Sequence, residues 1–179
     1  GFSVGFTSSN TSVVDFPGEV AFTLDVDTPW TDSTNINHTK NSVAGFTSDV
    51  VAFYEAVVTI PVEAVAAGTT AIELLQDHGL NHTDVNFNSP ILDNDVSIGY
   101  TITVVEDTPD TPDTPAEPDF SERYTYVYDT EAGKAVVEGP KYMTVGSKDN
   151  ITVTFTSEAG LLGFSVGFTS SNTSVVDFP

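Results

Sequence analysis

The chain has 179 residues, of which 26 are acidic and 5 basic, for a formal net charge of −21, and it has no cysteine. A charge of that sign and size is repelled by nucleic-acid phosphates and by anionic membrane surfaces, so neither is an expected partner. Disulfides are excluded as a source of stability, and no apolar run approaches the roughly 18 residues needed to span a membrane.

In chain order, Gly1–Phe6 alternates Phe2, Val4 and Phe6 with small or polar residues, the pattern of a half-buried strand. Ala21–Val26 repeats the pattern with Phe22, Leu24 and Val26. Residues 27–40 are polar, hold Pro29 and scattered Asp and Asn, and read as a loop. Val50–Ile60 predicts a long strand, or a strand with a bulge, that Pro61 either ends or places at a sheet edge. Val62–Ala67 is compatible with one helical turn before Gly68. Thr70–Leu75 predicts a strand, Gln76–Pro90 a loop rich in Asn, Asp and His, and Ser97–Val105 a strand with Ile98, Tyr100, Ile102 and Val104 on one face.

The composition then changes. Residues 106–119, EDTPDTPDTPAEPD, carry Pro at every third position from 109 to 118. Proline fixes φ and removes a donor, so neither helix nor central strand fits. The spacing suits an extended polyproline II spacer of roughly 3.1 Å per residue. Beyond it, Arg123–Tyr128 alternates Tyr124, Tyr126 and Tyr128. Lys134–Val137, Tyr142–Val145 and Ile151–Phe155 predict further strands, with a turn at Gly146–Asp149. Many short strands with turns between them, and no long helical period, predict an all-β sandwich.

The last seventeen residues, Gly163–Pro179, repeat Gly1–Pro17 without one change, GFSVGFTSSNTSVVDFP. Fixed-period identity marks a tandem array, here with a period of 162 residues. Of the acidic residues only Asp177 falls in the second copy, so one period carries about −20. The chain opens without Met and on a strand pattern, so it reads as a window on a longer array, out of phase with its domain. The expected division is 1–106 as the C-terminal part of one bead, 107–119 as linker, and 120–179 as the N-terminal part of the next. Few contacts are then expected between the two blocks. If the linker doubles back instead, residues 120–162 complete the core within this chain.

Read in that phase, the bead resembles a cohesin-type domain, a relative of immunoglobulin-like sandwiches. The residues that carry the resemblance are Tyr142–Gly146, Ile151–Phe155, Gly160–Phe168 and Val175–Phe178, with Val57–Val62 and Ala67–Thr70 later in the bead. The resemblance implies a sandwich of that type, and in cohesins a strand face that binds a dockerin. The near-identical repetition resembles giant glycosylated surface and filament proteins of archaea and bacteria. It implies an extracellular or cell-surface location and neighbouring copies of the same repeat as partners.

Asn-x-Ser/Thr sequons stand at Asn10, Asn37, Asn81 and Asn150, with Asn172 repeating Asn10, and predict covalent N-glycans. Asp25, Asp27 and Asp32 form an oxygen-rich cluster of the kind that suits Ca²⁺, and Asp93, Asn94 and Asp95 form another. Neither matches the EF-hand loop, and turn-forming Asp and Asn are the favoured account of both. His78 and His82 are four apart, but Gly79 and Asn81 argue against a helix that would align them. No Ser-His-Asp order, phosphate-binding glycine loop or HExxH stretch occurs, so no catalytic residue and no enzymatic activity are expected. The sequence thus predicts a structural repeat of an extracellular filament, sheath or surface layer. The competing expectation is an adhesin or cohesin-like protein- or carbohydrate-binding module on rigid spacers.

Overall fold

Period-two apolar patterns become strands, and strands bury one face only when a second sheet covers it. A computed structural model of the chain describes residues 21–24, 37–39, 42–44, 53–74, 80–86, 88, 90–92, 96–106, 118–166 and 168–177. Among the described residues the structure is all-β, with no helix. The strands are β1 (Ala21–Leu24), β2 (Asn37–Thr39), β3 (Ser42–Ala44), β4 (Phe53–Ala64), β5 (Gly68–Leu74), β6 (Leu80–Asp84) and β7 (Ile91–Leu92). They continue with β8 (Tyr100–Val105), β9 (Arg123–Thr130), β10 (Gly133–Pro140), β11 (Tyr142–Thr144), β12 (Lys148–Val166), β13 (Phe168–Ser170) and β14 (Val176–Asp177).

The larger sheet runs β1-β4-β12-β10-β9, with β14 also on β4, β6 also on β12, and β7 on β6. The smaller runs β11-β8-β5-β13, and β2 and β3 form a separate pair. Among the described strands only β11 and β8 pair in parallel. The sheets are curled around one core, an arrangement consistent with a β-sandwich. Ala56, Val58, Ile60 and Val62 of β4 and Ile151, Val153 and Phe155 of β12 face Ile72, Tyr100 and Ile102 from the other sheet, all at 2 % exposure or less. Burying side chains of this size stabilises the fold by about 1.5–3 kcal/mol each.

That core draws on both sides of the proline-rich stretch. Strand β12 pairs with β4 in a continuous ladder from Lys148↔Glu63 to Thr156↔Glu55. The expectation of few contacts between the two blocks does not hold within this chain: described residues from both sides of the proline-rich stretch share one core. Phe2–Phe6 and residues 107–117 lie outside the described residues.

Three local expectations are corrected. Pro61 neither ends its strand nor sits at an outer edge; β4 continues to Ala64. The amide of Ala64 donates to Ser147 O on the β12 side. Strand alternation therefore turns the Pro61 nitrogen the other way, between Thr59, which pairs with β1, and Glu63, which pairs with β14. A residue without an N–H is tolerated where no described partner needs one. The helical turn at Val62–Ala67 is absent, because Val62 and Ala64 are core residues of β4. The stretch Gln76–Pro90 contains a strand, β6, with Leu80, His82 and Asp84 buried.

Candidate functional site

The chain offers several places where chemistry could sit, and their geometry separates them. The metal candidates Asp25, Asp27 and Asp32, and the stretch Asp93–Asp95, lie outside the described residues. Among the described residues, no group of three or more His, Asp or Glu side chains converges on one point.

Asp84 explains its own burial. Its carboxylate accepts the backbone N–H groups of Asn86 (2.8 Å) and Asn88 (2.9 Å), and the Asn88 Nδ2 amide at 3.0 Å. Burial by itself would push its carboxyl pKa up, but these bonds outweigh burial and hold it below the ordinary range. This is a loop-closing device that the sequence signals only as Asp-Val-Asn-Phe-Asn.

His82 is fully buried. Its Nε2 lies 3.1 Å from Thr130 Oγ1, and that hydroxyl donates to Gly133 O at 3.0 Å. The Thr130 proton is thus committed, so the imidazole donates from Nε2 and keeps Nδ1 as a lone pair, for which the described residues supply no hydrogen-bond partner. The ring packs against Tyr128 and Phe155. Burial lowers its pKa, with the Gly133 carbonyl and Asp84 opposing. A neutral imidazole in that position is a core group and not a free base.

Of the sequons, Asn150 and Asn172 are exposed and Asn81 is half-buried in β6. Asn37 falls in β2 and Asn10 outside the described residues. Asn172 Oδ1 accepts from the backbone N–H (3.2 Å) and the hydroxyl (2.5 Å) of Ser174, the third residue of its own sequon. An open depression of about 530 Å³ is lined by Tyr54, Asp129, Lys134, Thr156, Ser157 and Glu158, with Tyr54 52 % exposed.

The most extensive constellation is the seat of the second repeat copy. Its first residues form the end of β12 and pair with β6, from Gly163↔Thr83 to Val166↔Leu80. The chain then crosses to the smaller sheet, where Phe168–Ser170 pair with Leu74, Glu73 and Ile72 of β5. It returns to the larger sheet through Val176↔Ala64 and Asp177↔Glu63. Phe168 and Val176 are fully buried. Thr70 Oγ1 lies 2.6 Å from Ser170 Oγ and accepts the Asn172 amide at 2.8 Å. Val65 N donates to Val175 O at 3.0 Å. Gly68, at φ 149°, leaves the space that Val175 fills: a Cβ there would lie 2.7 Å from Val175 Cγ2.

Strand β14 and strand β1 share one edge of β4. Asp177 is opposite Glu63 and Ala21 is opposite Thr59, both antiparallel. Asp177 is the counterpart of Asp15, which precedes Ala21 by six residues. Four residues of β4, about 13 Å, separate the two pairings, a span six residues cover easily. The second copy therefore ends where the chain following the first copy resumes.

No protein-family model, curated protein or solved structure matches this chain. No helix among the described residues is long and apolar enough to cross a membrane.

Proposed function

We propose that the chain is a repeating structural unit of an extracellular, glycosylated filament, sheath or surface layer, made of cohesin-like, immunoglobulin-type sandwiches in tandem. The bead runs from about Phe120 through the repeated segment and on to Glu106 of the following period, with the proline-rich stretch between beads. The observation that carries this reading is the shared edge of β4: Asp177 and Ala21 occupy it in the order and spacing of one continuous chain. Neighbouring copies are the partners. Identical units present identical surfaces, and a repeated heterologous contact that does not close builds a helical assembly. N-glycans and divalent cations are the expected additions to a surface of this charge, and no catalytic role is assigned.

The test is a chain of several periods viewed by electron microscopy. The expected result is a filament or layer whose repeat equals one bead and its linker. A second reading, a binding module on spacers, rests on the depression beneath Tyr54, where an exposed aromatic ring sits beside hydroxyl and carboxylate groups. Dispersed beads that bind an oligosaccharide there would favour it over the filament.

A further inference from the structure

The depression beneath Tyr54 is built by two irregularities in the larger sheet. The ladder of β12 with β4 runs to Thr156↔Glu55 and resumes at Leu161↔Phe53, so four residues of β12, 157–160, stand against one of β4, Tyr54. The surplus bulges out of the ladder, and bulges re-aim side chains where a site needs them. The second irregularity is at the β9–β10 turn, where Gly133 lies against the backbone of β12: a Cβ there would collide with Thr156 O. The bulge and the hairpin end both line the hollow, whose volume of about 530 Å³ falls within the roughly 300–1,000 Å³ of small-molecule sites.

Three kinds of group line it. Tyr54 contributes an aromatic ring that is 52 % exposed. Thr156 and Ser157 contribute hydroxyls, and the exposed residues Asp129, Lys134 and Glu158 contribute charges of both signs. Asp129 and Lys134 are directly opposite each other in the β9–β10 ladder, a spacing at which opposite charges ordinarily meet, yet no ion pair joins them. Both therefore remain available to a ligand. A molecule that answers all three kinds of group has an apolar face and a rim of hydroxyls. A pyranose ring is such a molecule. Its C–H bonds meet the negative face of an aromatic ring, and each of its hydroxyls both donates and accepts, so carboxylate, ammonium and hydroxyl all serve as partners. Charge narrows the class further. Two carboxylates against one ammonium, in a chain of −21, repel anionic sugars, and Lys134 repels cationic ones.

We propose that the depression binds a neutral oligosaccharide, with one pyranose stacked on Tyr54 and its hydroxyls held by Asp129, Lys134 and Ser157. The inference rests on the second reading above, a binding module, and deepens it by naming the class of ligand and the residue that each part of the ligand meets. Each group is carried by a different piece of the sheet: Tyr54 by β4, Ser157 by the bulge, Asp129 and Lys134 by the hairpin. In a tandem array the site recurs once per period, so sites that are weak singly add up to firm attachment. The same sugar chemistry is offered by a free polysaccharide and by a glycan on another copy of the chain.

The test is a titration of the full-length chain, made in a host that adds no N-glycans, with mannotriose, cellotriose, N-acetylchitotriose and the anionic trigalacturonate, read by calorimetry and saturation-transfer NMR. The expected result is that at least one neutral trisaccharide binds and trigalacturonate does not. Tyr54→Ala is expected to weaken binding about tenfold and Tyr54→Phe to keep it, since the ring and not the hydroxyl makes the stack. Asp129→Asn and Lys134→Gln are expected to weaken it about three- to tenfold each. Urea melts show that each variant folds, and the two exposed polar positions keep the proposal open to refutation should Tyr54→Ala unfold. No binding of any neutral trisaccharide overturns the proposal. So does binding of trigalacturonate as tight as that of the neutral sugars, or binding that none of the folded variants weakens. Glycopeptides cut from the glycosylated chain are then added as competitor. Displacement of the trisaccharide assigns the sugar to another copy, and a trisaccharide that stays bound assigns it to a free polysaccharide; the site stands in both cases. Filaments of a multi-period chain that binds the trisaccharide would remove the spaced-module reading and leave the site. Dispersed beads that bind no neutral sugar would do the reverse.

Discussion

Tyr100 and Tyr124 lie flat against each other, ring centroids 4.3 Å apart and planes 7° from parallel, and each hydroxyl donates to a carbonyl from the other's side of the proline-rich stretch. Tyr100 Oη donates to Pro140 O at 2.9 Å, and Tyr124 Oη to Ile98 O. The pair therefore ties the two blocks together twice. Burial pushes the Tyr100 phenol well above its ordinary range, and burial with Tyr126 nearby pushes Tyr124 up to about 12.

This lock depends on Gly139. A Cβ there would collide with the Tyr100 hydroxyl. Gly139→Ala is expected to destabilise the fold by about 1–3 kcal/mol through overpacking. Tyr100→Phe is expected to cost about 1 kcal/mol for the lost bond to Pro140. The two changes meet at one atom, so the double variant is less destabilised than the sum. Urea melts of the four proteins in a double-mutant cycle measure the coupling.

His82 makes stability fall on acidification. Its folded-state pKa lies below its unfolded value of 6.5, so the unfolded chain takes up the proton first. The contribution is complete above the unfolded pKa and is lost as pH falls towards the folded one. Between pH 7.5 and 5.5 the melting temperature is expected to drop, and His82→Gln to flatten that slope. A slope unchanged by His82→Gln would remove His82 as its source.

Glycan occupancy should follow exposure. Asn150 and Asn172 are exposed, while Asn81 is half-buried in a strand flanked by β12 and β7. Glycopeptide mass spectrometry of protein from its natural source is expected to find sugars at Asn150 and Asn172 and lower occupancy at Asn81. Occupancy at Asn81 alone would contradict the register of β6.

Salt should stabilise the protein. Among the described residues Arg123 pairs with Asp149, Lys141 with Glu122 and Lys148 with Glu63, and the net −21, which already counts all 5 bases against 26 acids, is left wholly uncompensated by the chain's own cations. The Debye length shrinks from roughly 30 Å at 0.01 M to 3 Å at 1 M. The melting temperature is expected to rise across that range, and further with Ca²⁺ at equal ionic strength. A melting temperature indifferent to both salt and chelator would argue against charge repulsion as a limit on stability.

The sequence by itself determined the strands that alternate. Ile98, Tyr100, Ile102 and Val104 are all buried, and so are Ile151, Val153 and Phe155, because a period of two places every second residue on one face wherever the strand lies. It also determined the repeat, since identity requires no structure to be seen. It could not show β6, because Leu-Asn-His-Thr-Asp has one apolar residue in five, and His82 and Asp84 become inward-facing only through Thr130, Asn86 and Asn88. Nor could it place Pro61 inside a strand: the missing N–H is harmless only because β1 and β14 pair with β4 on either side of it. Tertiary structure alone decided that the blocks flanking the proline-rich stretch share a core. Strand periodicity tells which face is buried but not which strand lies alongside, and that choice is made by packing between residues far apart in sequence.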